Sequence, residues 1–440
     1  MVRTASRLGV TACIALCALT GWSAMPELDL ADVGRVELAN SGRSEAQQAF
    51  HHGLAQLHNF EYRAAAEDFR EAQRIDPDFA LAYWGEAMTH HHTIWMRQDR
   101  AAALEVLARY APTPEARRAK APAGIERDLL AAVDVLFGDG PKEARDDAYA
   151  RFMGELAERY PEEVEIAAFH ALAILGTAHE GRDFPTYMRA AAITQAWIHD
   201  HPRHPGLAHY QIHATDDPVH APLGLAAAEA YADIAPNAAH AQHMTTHIFL
   251  ALGDWDGTVS GNVRATELVN ADRAERGLEP TGCGHYPSWL MYGHLQRGEI
   301  AAARGIMERC AGNVARDPEF SAAGYYAWQR ALYLFDARAW DGEIAGLALE
   351  LGDPAHAFED AVVDGWVALE RGDPGRARRA LEHARALLEG AELPPSERRE
   401  PEVQQLQLAG RIALAEGDPA GALARLREAV ALEADLPFGY

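Results

Sequence analysis

Apolar residues recur along this chain three and four positions apart, and long β-branched runs are missing. Stripes of that kind mark helices that bury one face. Glycine divides them into pairs. Gly253-Asp254-Trp255, Gly298-Glu299, Gly372-Asp373-Pro374 and Gly417-Asp418-Pro419 read as tight turns between two helices. Counting from such turns, a first set of helices is expected at about 47–58, 79–92, 165–179, 206–214, 238–251 and 286–297. A partner helix follows each. The expected fold class is all-α, a right-handed α-solenoid of helix–turn–helix repeats. Its least regular stretches are expected at about 97–145 and 272–284.

The small residues within these pairs are regularly placed. Counted from Ala46, Gly53, Ala65, Phe69, Ala72 and Pro77 occupy positions 8, 20, 24, 27 and 32. This spacing resembles the tetratricopeptide repeat (TPR) family. Gly365, Ala377, Leu381 and Ala384 hold positions 8, 20, 24 and 27 again, and Gly410, Ala422, Leu426 and Ala429 repeat them 45 residues later. The C-terminal copies lack the terminal proline. The resemblance implies a superhelix whose first helices line a concave groove and whose second helices pack outside. It also implies a protein or peptide partner in that groove, but no particular activity. A narrower resemblance rests on Leu57-His58-Asn59-Phe60, Trp84-Gly85-Glu86-Ala87-Met88-Thr89-His90, His204-Pro205-Gly206, Asp217-Pro218 and His243-Met244. These blocks are similar to a group of exported bacterial TPR-like proteins with His-rich blocks, to which no reaction is attached.

Charge and cysteine content narrow the setting. The formal net charge is −25 with no basic stripe, which argues against a nucleic-acid partner. Arg3 and Arg7 precede an apolar run from Leu8 to Leu19, with small residues at Ser23-Ala24. Residues 1–24 are read as a signal peptide, 25–45 as a linker, 46–345 as the solenoid with a His-rich concave face, and 346–440 as C-terminal TPR repeats and tail. The expected location is periplasmic or extracellular. A lipid anchor at Cys13 is the weaker alternative, because the apolar run before Val10-Thr11-Ala12-Cys13 is short and continues past it. No later segment is apolar enough for a transmembrane span. Cys283 and Cys310 would remain after processing, at the meeting ends of a helical hairpin. A disulfide there suits an oxidising compartment, and a pair of unlinked buried thiols is the alternative.

Histidine changes the picture most. There are 21, and fifteen fall on the first helices or at their edges. His209-Tyr210-Gln211-Ile212-His213 and His243-Met244-Thr245-Thr246-His247 share the spacing His-x-x-x-His, which stacks two imidazoles a turn apart. If the two helices are neighbours, four imidazoles converge on one transition metal ion, with copper, zinc and iron all suited to nitrogen donors. His90 and His92 are the next candidates, with Glu86 placed to orient His90. Asp216 is a candidate partner of a ligand, and Asp217, before Pro218, a helix cap. His-Glu-x-x-His, Gly-x-Ser-x-Gly and a Walker loop are absent, and catalytic residues are not assigned. The leading expectation is a metal-binding groove, with metal-centred chemistry as its extension. A metal-free interaction scaffold is the alternative, and a histidine pH switch the third reading.

Overall fold

The structure, a computed structural model, describes residues 32–316, 322–389, 395–434 and 436. The signal peptide and the Cys13 box lie outside the described residues. Within them the chain is helical almost throughout. The helices of the first half are α1 (Gln47–His58), α2 (Tyr62–Ile75), α3 (Ala80–Met88), α4 (Arg100–Tyr110), α5 (Pro114–Lys120), α6 (Ile125–Leu136), α7 (Lys142–Arg159), α8 (Val164–Leu175), α9 (Phe184–Ile198) and α10 (Pro205–Thr215). Those of the second half are α11 (Ala221–Ile234), α12 (Ala239–Leu252), α13 (Trp255–Glu275), α14 (His285–Gln296), α15 (Ile300–Arg316), α16 (Ala323–Asp336), α17 (Pro354–Glu370), α18 (Pro374–Glu389), α19 (Pro395–Ala415) and α20 (Pro419–Glu433). One small hairpin interrupts them: β1 (His91–His92) pairs antiparallel with β2 (Arg97–Gln98).

Apart from α4 and α5, each helix packs on the next, and alternate helices touch too, as α8 does α10, α10 does α12 and α17 does α19. That contact pattern defines an α-helical repeat array. The small residues explain its tightness. A Cβ added at Gly85 would sit 2.4 Å from the Phe69 ring, and one at Gly53 would sit 3.2 Å from it. Phe69 therefore fills the space that glycine leaves on both neighbouring helices. The turns follow from backbone chemistry. Gly253 closes α12 in the left-handed region, at φ +75°, and the Asp254 carboxylate then accepts from the Gly257 N–H to cap α13. Gly298, Gly372 and Gly417 turn the same way.

The first helix also returns to the middle of the chain. Asn59 accepts from the Tyr231 hydroxyl at 2.8 Å, and the Glu61 carboxylate accepts from the His240 N–H at 3.0 Å. Within the 25–45 stretch, Val33, Val36 and Leu38 are buried. The Glu37 N–H donates to Glu165 at 3.1 Å, and the Val33 carbonyl accepts from Asn59 at 2.9 Å. That strap ties α1 to α8.

Two helices end short of expectation. α8 stops at Leu175 rather than near residue 179, and α3 ends at Met88 rather than near residue 92, so His91 and His92 lie in the hairpin. Beyond Thr89, whose hydroxyl donates to the Glu86 carbonyl at 2.7 Å, the chain turns into the hairpin, and the His90 carbonyl accepts from the Asp99 N–H at 2.9 Å. Cys283 and Cys310 are joined in a disulfide, which fastens the loop before α14 to α15. Among the described residues, no helix is long and apolar enough to cross a membrane.

Candidate metal centre

All eleven residues of α10 are buried, as are the first ten of α12. Helices sunk this deeply must satisfy their polar side chains internally, since an unpaired buried polar group is costly. The histidines sort into three groups on that account. His209, His213 and His240 form one, His243, His247 and His285 the second, and His58, Glu165 and His204 the third. Within each group, one ligand atom from every residue lies within 4.8 Å of the others.

The first group is open. The Nδ1 atom of His209 bonds to the His58 carbonyl at 2.6 Å. A carbonyl only accepts, so Nδ1 carries the proton and Nε2 carries a lone pair. The Nε2 atoms of His209, His213 and His240 are all buried and have no hydrogen-bond partner. Burial pushes His209 down to about 3 and holds His213 and His240 well below the usual imidazole range. All three are neutral at pH 7, the state that binds metal. Tyr286 stands 3.3 Å from Nδ1 of His240.

The second group adjoins the first. Nδ1 of His243 donates to Oδ1 of Asn262 at 2.7 Å. That amide orientation is fixed by Nδ2 of Asn262, which donates to the Thr258 carbonyl and the Thr246 hydroxyl. Nδ1 of His247 faces Oδ2 of Asp216 at 3.1 Å, while Arg182 holds the other carboxylate oxygen. Burial pushes the Asp216 carboxyl well up, and Arg182 opposes it. The Nε2 atoms of His243 and His247 stand 3.0 Å apart. Asp216 joins the two groups, because the same Oδ2 lies 3.8 Å from Nδ1 of His213. The His213 and His247 rings are 6.1 Å apart, and those of His240 and His243 are 6.2 Å apart. A cavity of about 350 Å³ opens over both, with Trp95, Arg182, Tyr187 and Trp289 on its walls and His285 exposed at its edge.

The third group is closed. Glu165 accepts from His58 at 2.7 Å, from His204 at 3.2 Å and from the Glu37 N–H. His58 spends its other nitrogen on the Tyr210 hydroxyl at 2.8 Å. Burial works to raise the Glu165 carboxyl, but His204 and His58 draw it well below its usual range. This is a buried clamp with every bond used.

The four residues of the paired His-x-x-x-His blocks are thus divided, two to each open group. His240 and His285 complete the triads. His240 is one helical turn before His243, a spacing visible in the sequence. His285 carries no such signal. His90 and His92 lie outside all three groups. The His92 ring stacks on Tyr62 at 4.1 Å, and its Nε2 faces the Thr89 carbonyl. Glu86 is engaged by Arg70, Gln73 and Arg109 rather than by His90. Asp217, expected as a cap of the next helix, instead holds the turn before α11, accepting from the Val219 and His220 N–H groups at 2.9 Å, while His220 takes the N-cap position.

Neither a family model nor a curated protein matches this chain. Solved helical-repeat structures do align along most of it. Yeast Tom70 is 12% identical over 88% of this chain and 85% of its own, with a TM-score of 0.42. The Cut9–Hcn1 hetero-tetramer of the APC/C gives 13%, 92%, 77% and 0.37, and the P58(IPK) TPR domain 14%, 89%, 98% and 0.25. With superpositions this loose, the class rests on the chain's own paired helices and glycine spacing. Those define an all-α helical repeat protein.

Proposed function

We propose that this repeat protein binds a transition metal ion in the chamber between α10 and α12, with His209, His213 and His240 as ligands. The observation that carries the reading is the trio of buried, unpartnered Nε2 atoms. Hydrogen bonding at Nδ1 of His209 fixes its tautomer and leaves Nε2 as the ligand atom, as partners of ligating histidines commonly do. All-imidazole donors suit copper, zinc or iron. The Cys283–Cys310 disulfide supports an oxidising, exported setting. Elemental analysis of protein purified without a histidine tag tests the reading, with His213→Ala/His247→Ala beside it. A transition metal at fixed stoichiometry in the wild type, lost in the double variant, is expected. A folded, metal-free wild type that also refuses added copper, zinc and iron would sink the proposal.

A second reading, the interaction scaffold, is favoured by a different region. A groove of about 840 Å³ beside the chamber is lined by Trp289, Tyr292, Tyr325, Trp328 and Leu332, with Glu359 and Glu400 on its rim. Such a surface suits an extended partner segment. Partner binding that ignores chelator and survives the double variant would favour it.

A further inference from the structure

We infer that the chamber is a two-ion centre, in which His243, His247 and His285 hold a second first-row transition metal ion beside the first. The inference rests on the metal reading above and extends it. It starts from the His243 and His247 pair. Asn262 offers His243 only an acceptor oxygen, so Nδ1 of His243 carries the proton and its Nε2 presents a lone pair. Nε2 of His247 stands 3.0 Å from that atom, and Nδ1 of His247 faces the Asp216 carboxyl that Arg182 holds. Nitrogen ligands at roughly 2.0–2.1 Å from one ion stand about 2.9–3.4 Å apart when adjacent in its coordination shell. The pair is spaced as two such ligands would be, and one ligand atom of His285 lies within 4.8 Å of theirs.

His285 supplies the third donor from a separate helix. Its ring centre is 4.6 Å from that of His243, and it begins α14 directly after Gly284. The exposure of His285 at the cavity edge leaves room there for a further, exchangeable ligand. The two triads are not independent. α12 contributes His240 to one and His243 and His247 to the other, and Asp216 lies against a ring of each. A carboxylate shared in this way, held by Arg182, positions the ligands of both ions together.

The test is metal stoichiometry in untagged, chelator-stripped protein titrated with zinc(II), then with copper(II) for electron paramagnetic resonance. Two zinc ions per chain are expected for the wild type and one for His285→Ala, which removes an exposed side chain and keeps the wild-type circular dichroism and melting curve. Copper(II) should give a spin-coupled signal in the wild type and an isolated-ion signal in His285→Ala. One zinc per chain in both proteins would overturn the two-ion centre and leave the single-ion reading standing. No zinc or copper in the wild type would overturn both.

Discussion

The region of α10 and α12 and the region of α17 to α20 are built from the same helical pair but filled in opposite ways. In the C-terminal pairs the interior is Phe358, Ala361, Ala377, Leu381, Ala384 and Leu408, and Asp360 is the one buried polar residue described. There Gly365 lets Leu408 approach so closely that a Cβ would lie 2.5 Å from it. In α10 and α12 the buried set includes five histidines, two glutamines and three threonines. Hydrophobic packing alone would hold the C-terminal pairs together. The histidine-bearing helices require their polar atoms to find partners; four buried side-chain atoms there find none, and the three that are imidazole nitrogens mark the chamber. Departure from the repeat's apolar pattern thus locates the site.

Acid should separate the two regions most strongly. The folded values of His209 and His247 are pushed down to about 3, from an ordinary imidazole value of 6.5, His209 by burial and His247 by burial and then Arg182. Between those limits the unfolded chain binds protons that the folded one refuses. Stability from these groups is fully present above about pH 6.5 and declines as pH falls towards 3. The C-terminal pairs bury no histidine among the described residues. Hydrogen exchange on metal-free protein at pH 7 and pH 5 should show residues 205–252 losing protection while 354–389 keep theirs. Equal loss in both would break the comparison.

Glu165→Ala is the next largest perturbation. It strips His58, His204 and the Glu37 N–H of a common acceptor in a fully buried place. Removing one member of such a buried network costs roughly 3–5 kcal/mol. Because His58 also presents its carbonyl to His209, the change should weaken metal binding as well. Urea unfolding with the same slope and an unchanged midpoint would show that the clamp contributes little.

These contrasts also show what the sequence could reveal. Helix pairing was legible because Gly53, Phe69 and Gly253 each solve a local steric problem, and local problems leave local signatures. The helical reading through residue 92 failed because His91 and His92 pair with Gln98 and Arg97 in a hairpin, which periodicity does not register. His209, His213, His243 and His247 were legible as pairs, but their division between two triads was not. Which face of α12 meets α10 and which meets α14 depends on how the superhelix is wound. For the same reason His285, at a helix start far along the chain, could not be joined to them, and Asn262 and His58 were invisible as hydrogen-bond partners of His243 and His209.

The smallest expected effect lies on the C-terminal surface. Arg378 pairs with Glu416 across α18 and the end of α19, and the arginine side chain is 56% exposed. Solvent and salt screen such a pair, and holding two long side chains together costs entropy, so Arg378→Ala should change stability by only about 0.2–1 kcal/mol. The urea midpoint should move little, and less still in 0.5 M salt. The carboxylate of Asp216 is paired with Arg182 in a formally similar way, but both side chains are buried and two histidines hang on the arrangement. A loss at Arg378 as large as that at Glu165 would mean that exposed pairs hold the solenoid as firmly as the buried network. The polar interior of α10 and α12 would then no longer stand apart from the rest of the repeat.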